Sequence, residues 1–280
     1  MTGGVAMQVR HRVSGAVLLD WPGDSLRGAE LAGAVLTYAD FAGLDLSGAD
    51  LRRADLCSAG LQGATLAGAL LVGADLSGSD LSGADCRGAR ATDARLLGVQ
   101  LTGAQLQRAE LSRTQWKLAY VKEQGADFSN ATLCRASLRH ANLQGCRFEG
   151  ADCTEAALSH TGFEGASFRG ACLASAVLVQ ARLAGADLRQ ADLTWTILHD
   201  SGLSGAALAG AIVGRTVLAA IPTIGEATGL DELSVVAPCS IDLPTLQLLA
   251  AAVPPEVLEA LGLQPVALHT LRPARTAASA

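Results

Sequence analysis

Large apolar residues recur every five positions along most of the chain, in runs such as Ala49-Asp50-Leu51, Ala54-Asp55-Leu56 and Ala74-Asp75-Leu76. A period of five matches neither the 3.6 of an α-helix nor the 2 of an ordinary strand, so the pattern reads as an internal repeat. With the large residue taken as the centre of each unit, centres run unbroken from Leu26 to Val121 in 20 units and resume from Phe128 to Leu218 in 19. Leu fills 28 of the 39 centres and Phe five, which uses every Phe in the protein; the others are Cys86, Ala91, Trp116, Val121, Cys153 and Val213. Ala stands two residues before the centre in 29 of the 39 units. One large and one small side chain per unit therefore turn inward, and three mostly polar ones turn outward.

Two residues after the centre the chain carries Gly in 19 of 39 units. Glycine takes positive φ without steric cost, so tight turns are expected at many of these units. The segment is a short extended stretch plus a corner, and the whole is a five-residue solenoid with an apolar bore.

In pattern these residues are A(D/N)Lxx, and from about Leu26 to Leu218 the chain resembles the pentapeptide-repeat family. The resemblance implies an all-β fold, a right-handed quadrilateral β-helix, and a protein that is usually not an enzyme. Four corners then close a coil of about 20 residues, and coils stack at about 4.8 Å, so some ten coils make a rod on the order of 45 Å long. Leu over Leu and Ala over Ala fill the bore and leave no ligand channel.

Outside the repeat, residues 1–21 alternate weakly and are read as an N-terminal cap, since an open β-helix end is an edge strand that invites polymerisation. The β-helix spans 22–218 and is interrupted near 122–126, where the phase slips by two residues just after Trp116 and Tyr120. A bulge or short loop is expected to leave the rod there, with both aromatics as candidate partner contacts. Residues 219–262 read as a C-terminal helical cap: Asp242 caps a first helix, and Pro255 to Leu261 form a second, stopped by Gly262. Residues 263–280 are expected to be disordered.

Half the residues are hydrophobic but only 4% are aromatic, as an Ala/Leu-filled bore requires. No apolar run reaches 18 residues and the N-terminus lacks the apolar core of a signal peptide, so a soluble cytoplasmic protein without membrane contact is expected. Of the seven cysteines, Cys86, Cys146 and Cys153 fall on inward positions and are expected to be buried free thiols.

Residues 20 apart stack on one face, which turns the sequence into a surface map. Phe128, Phe148 and Phe168 should form an aromatic ladder in the bore, and His140 and His160 a corner pair. No third ligand joins the histidines, and no Ser/His/Asp arrangement or phosphate loop appears, so no cofactor, metal or catalytic residue is assigned. Outward acids just before the centre include Glu30, Asp50, Asp55, Asp75, Asp80 and Asp85. Glu30 over Asp50 and Asp55 over Asp75 are like-charge stacks, which repel. They suit either a turn-side preference or a phosphate-like strip, and the quinolone-resistance members of the family are understood to mimic DNA and occupy the DNA site of gyrase. Residues 22–218 hold 20 acids against 17 Lys and Arg, a weak net charge for mimicry of duplex DNA. Trp195 should be exposed beside His199 and Asp200. The leading expectation is a non-catalytic macromolecule-binding or scaffold β-helix with a protein partner and no direct nucleic-acid binding. The runner-up is a DNA-mimicking modulator of a type II topoisomerase such as DNA gyrase, protecting against a topoisomerase poison. The apolar C-terminal helices could also pair two copies into a homodimer.

Overall fold

Each five-residue unit has five backbone N–H groups to satisfy, and where they go builds the coil. In the unit around Leu51, the N–H groups of Leu51 and Arg53 donate to Leu70 and Val72 in the next coil, and that of Asp50 donates to Ala29 in the previous one. The Ala54 N–H donates to the Leu51 carbonyl at 3.1 Å and closes the corner. The fifth, on Arg52, is taken by the Asp50 carboxylate at 3.1 Å. The computed structural model describes residues 7–263.

Parallel bridges link Glu30 to Asp50, Val35 to Asp55, Asp40 to Gly60 and Asp45 to Thr65, so each coil of 20 residues presents four faces. These are named here by their first centres, the Leu26, Leu31, Leu36 and Phe41 faces. The corners are sharper than the glycine count suggested. Positive φ occurs two residues after every centre except Val121, at Gly or at residues such as Tyr38, Arg53, His140 and Trp195. With the left-handed conformation confined to the third residue of the turn, the hydrogen-bonded corners are type II. Each non-glycine there costs about 1–2 kcal/mol, which the ladder of inter-coil hydrogen bonds and the packed bore offset.

The bore is continuous. Phe128, Phe148 and Phe168 stack with ring centroids 4.8 and 4.7 Å apart, and Phe163 meets Phe148 and Phe168 edge-on. Cys86, Cys146 and Cys153 are buried, as their spacing requires. Where Cys86 and Ala91 replace Leu, a small apolar void of about 20 Å³ is left among Leu71, Leu96 and Leu111.

At the phase slip the bridges lengthen to 22 residues, Gln105 pairing with Asp127 and Tyr120 with Asn142, so columns stay in register across it. Residues 122–124 make an exposed bend, a two-residue bulge held against the rod and not a free loop. The Lys122 N–H donates to Thr102 Oγ1 and the Gly103 N–H to the Gln124 carbonyl, which ties the two extra residues to the coil beneath. Gly125 has no room for a side chain: a Cβ there would lie 2.2 Å from the Gly145 carbonyl oxygen.

Both ends are covered. Strands Met7–Arg10 and Val17–Trp21 form an antiparallel hairpin whose outgoing end pairs with residues 38–40, and Val9 is buried against the first coil. At the other end, helices α1 (Leu243–Ala252) and α2 (Pro255–Ala260) bury Leu246, Leu249, Val253 and Leu258 together with Ile221 and Ile224. Asp242 caps α1 by accepting from the Thr245 N–H at 3.0 Å, and its other oxygen accepts from the Ala220 N–H at 2.9 Å, which bolts the helix to the last coil. The tail from 264 onward lies outside the described residues.

Candidate interaction surface

The outward acids are first of all turn residues. Asp45, Asp50, Asp55, Asp75, Asp80 and Asp85 each accept from the backbone N–H two residues on, at 2.9 to 3.1 Å. A carboxylate one carbon shorter than Glu reaches that N–H, which accounts for Asp at this position. Arg52 also holds Asp50 through two guanidinium bonds and keeps its carboxyl below the usual range; Arg87 does the same for Asp85.

The stack of Asp55 and Asp75 is relieved by separate hydroxyl donors, Thr37 Oγ1 to Asp55 and Ser77 Oγ to Asp75. Burial, with the charges of Asp55 and Asp75 nearby, pushes the Cys57 thiol up to about 12. Arg95 pairs with Asp75 at 3.4 Å. Burial raises the Asp75 carboxyl, but its bonds to Ser77, the neighbouring Cys57 thiol and the charge of Arg95 outweigh it and leave the group lowered. The like-charge column is thus compatible with the fold.

Placement on the rod spreads these acids rather than aligning them. Glu30 and Asp50 lie on the Leu31 face, Asp55 and Asp75 on the Leu36 face, Asp80 on the Phe41 face and Asp85 on the Leu26 face. Arginines interleave with acids on every face, as in the pairs Arg87–Asp85, Arg52–Asp50, Arg95–Asp75 and Arg182–Glu164. Among the described residues no face carries a strip of one sign.

Among the aromatic candidates, Trp116 is corrected: it is fully buried as a bore residue, edge-on to Phe128 at 5.7 Å, with its indole N–H donating to Thr114 Oγ1 at 2.7 Å. It has no surface to offer. Tyr120 is half-buried and donates its hydroxyl to Gln100. Trp195 is 54% exposed, with the Arg215 guanidinium 4.5 Å above its ring.

Beside Trp195 lies the feature that sequence reading missed. Strands Val177–Val179, Ile197–His199 and Val217–Ala219 pair in parallel on the Leu36 face and turn Val177, Val179, Ile197 and Val217 outward. Ile197 is 37% exposed. These positions flank the centre, where other units carry Asp, Ser or Arg, so β-branched residues there were the available signal. The corner histidines stack as expected, 4.7 Å apart and nearly parallel. Among the described residues no group of three His, Cys, Asp or Glu side chains could hold a metal ion, and no helix is long and apolar enough to cross a membrane.

A rod of four-sided coils with one large and one small inward residue per five is a right-handed quadrilateral β-helix. The chain belongs to the pentapeptide-repeat family, described as "Pentapeptide repeats", whose copies match residues 25–53, 49–85, 59–98, 79–115, 124–150, 146–183 and 176–215. The gap between 115 and 124 falls at the phase slip. The comparison with curated proteins gives no match. Among solved structures, the chain is similar to HetL, involved in heterocyst differentiation regulation in the cyanobacterium Nostoc sp. strain PCC 7120, at 27% identity over 71% of this chain and 86% of that one, TM-score 0.29. Full-length QnrB1, a plasmid-mediated fluoroquinolone resistance protein, is 18% identical over 78% of this chain and 97% of that one, TM-score 0.36. Rfr23 from the cyanobacterium Cyanothece 51142 is 29% identical over 44% of this chain and 89% of its own, TM-score 0.34. Family membership rests on the repeat itself, and proteins of this family are generally structural or binding proteins.

Proposed function

We propose that the chain is a non-catalytic scaffold that binds another protein through the C-terminal half of its Leu36 face, with Trp195 at the edge of the contact. The observation that carries this reading is the flat set of outward Val177, Val179, Ile197 and Val217 beside an exposed Trp. An apolar centre rimmed by His199, Asp200 and Arg215 has the composition of a protein contact, and Trp is the side chain most often found as its anchor. Gyrase modulation by DNA mimicry would need a strip of one charge. Acids interleaved with arginine on all four faces favour the scaffold over the mimic, and unchanged gyrase supercoiling and quinolone cleavage complexes at micromolar protein are the expected result. Pairing of two copies through the C-terminal helices would have to use Leu243 and Leu248, the leucines α1 leaves exposed.

A photo-crosslinking amino acid placed in cells at position 197, and separately at position 184 on the Phe41 face, tests the proposal. A discrete protein adduct from 197 and none from 184 is expected. Adducts of equal yield from both, or none from either, would contradict it.

A further inference from the structure

Midway along the rod, on the Leu36 face and the corner where it meets the Leu31 face, four cations gather beside two carboxylates. Lys117 and Arg139 each follow a centre of the Leu36 face, Trp116 and Leu138, in adjacent coils joined by the Gln115–Ser137 bridge. They stand one above the other, exposed, and among the described residues neither side chain takes part in a hydrogen bond or ion pair. Arg113 and Arg135 occupy the adjoining corner, again in consecutive coils, with the Arg113 N–H bonded to the Cys134 carbonyl. Like charges stacked at the coil spacing of about 4.8 Å repel, and Lys117 and Arg139 make no ion pair among the described residues to offset it.

The four side chains line one open groove of about 620 Å³ together with Thr114, Gln115, Ser137 and His140. Two of the cations are fixed in place. Arg113 bonds Asp93 through Nε and Nη2, both at 2.7 Å, and Arg135 bonds Glu155 through the same atoms at 2.8 and 3.1 Å. Each keeps its Nη1 uncommitted. The Gln115 and Ser137 side chains, which make no hydrogen bond among the described residues, add neutral polar groups to the floor.

We propose that this groove binds a compact oligophosphate. Its ligand is a chain of two or three linked phosphates, either inorganic or the phosphate tail of a nucleotide, held by Lys117, Arg139 and the free edges of Arg113 and Arg135. Guanidinium and ammonium groups converging on one groove match the tetrahedral oxygens of such a group. Size separates it from nucleic acid. Asp93 lies one coil before Arg113 and Glu155 one coil after Arg135, so the arginine column is two coils, about 10 Å, long and is closed by a carboxylate at each end. A long polyanion running either way would meet those acids on a chain whose net charge is already −6.

Calorimetric titration of the full chain with sodium tripolyphosphate at low salt tests the assignment. Binding is expected, weakened about tenfold or more in Lys117→Gln/Arg139→Gln, and unaffected by Arg27→Gln/Arg169→Gln, which removes the same charge from the Leu26 face. Unchanged thermal melts of both variants establish that the fold is kept. ATP binding more tightly than tripolyphosphate would assign the ligand to the nucleotides, and equal affinities would assign it to the inorganic chain. Three results overturn the proposal: no binding of tripolyphosphate at millimolar concentration, equal weakening by the control variant, or preferential binding of a short DNA duplex. None of them bears on the apolar surface around Trp195, which stands on different residues.

Discussion

The coils from Leu26 to Val121 and those from Phe128 to Leu218 fill the same bore yet finish their outer surfaces differently. In the first block most corners are Gly, and Asp before the centre braces the turn. In the second, corners are often Asn130, Arg135, His140, Glu155, Gln190 or Trp195, all held at positive φ. Small inward positions there also change from Ala to Thr161, Thr196, Ser201 and Thr216, whose hydroxyls donate to centre carbonyls one coil below. At Ser201 the hydroxyl accepts from the Ala181 N–H and donates to the Leu178 carbonyl, so it enters the corner bond that other units close directly. The chain around Leu178, Leu198 and Leu218 runs instead as strands. The inward pair of residues fixes the solenoid, and the corners and flanking positions are left free to carry a surface.

The comparison breaks most severely in the bore of the second block. Phe148→Ala removes the middle ring of the aromatic stack and should cost about 3–5 kcal/mol by denaturant titration, since fixed backbone ladders above and below prevent collapse. Gly125→Ala attacks the junction of the two blocks. A Cβ driven into the Gly145 carbonyl should cost about 2–3 kcal/mol and lower the thermal midpoint without changing either block's surface.

Acid distinguishes turn bracing from bore packing. The carboxyls of Asp75, Asp85, Asp127, Asp152 and Asp187 are lowered in the folded chain, so the unfolded chain binds protons more readily. Their stabilisation is present above about pH 4, near the unfolded values, and is lost as the pH falls through the lower folded ones. Thermal midpoints should be flat from neutrality to mild acid and fall below that. The smallest effect is at Leu118, 61% exposed at φ 62°. Leu118→Gly relieves left-handed strain while adding backbone entropy to the unfolded chain, for a net gain of about 0.5 kcal/mol in the same titration.

Much of this was legible because a bore of fixed width restricts the side chains that enter it. Leu, Phe and Ala at regular intervals gave the solenoid, its register and the burial of Cys86, Cys146 and Cys153. Trp116 sits at a centre, but the phase slip that follows it points to the surface, whereas the neighbouring Thr114 accepts its indole N–H and Phe128 takes its edge. The insertion at 122–126 was visible as a slip, but its close fit depends on Gly125 facing Gly145, a contact between coils. The turn-side role of the acids was one of two readings open in the sequence, and the donor that decides it is a backbone N–H. The apolar patch escaped notice because Val177, Ile197 and Val217 look unremarkable singly and become a surface only when stacked.

The central claim is that this patch serves contact and not folding. Thermal unfolding of Trp195→Ala/Ile197→Ser against the parent chain tests it most directly. A midpoint within a few degrees of the parent, a change of about 0.5 kcal/mol, is predicted for residues outside the core. A loss of more than about 2 kcal/mol would place the pair among the side chains that hold the rod together and contradict the account.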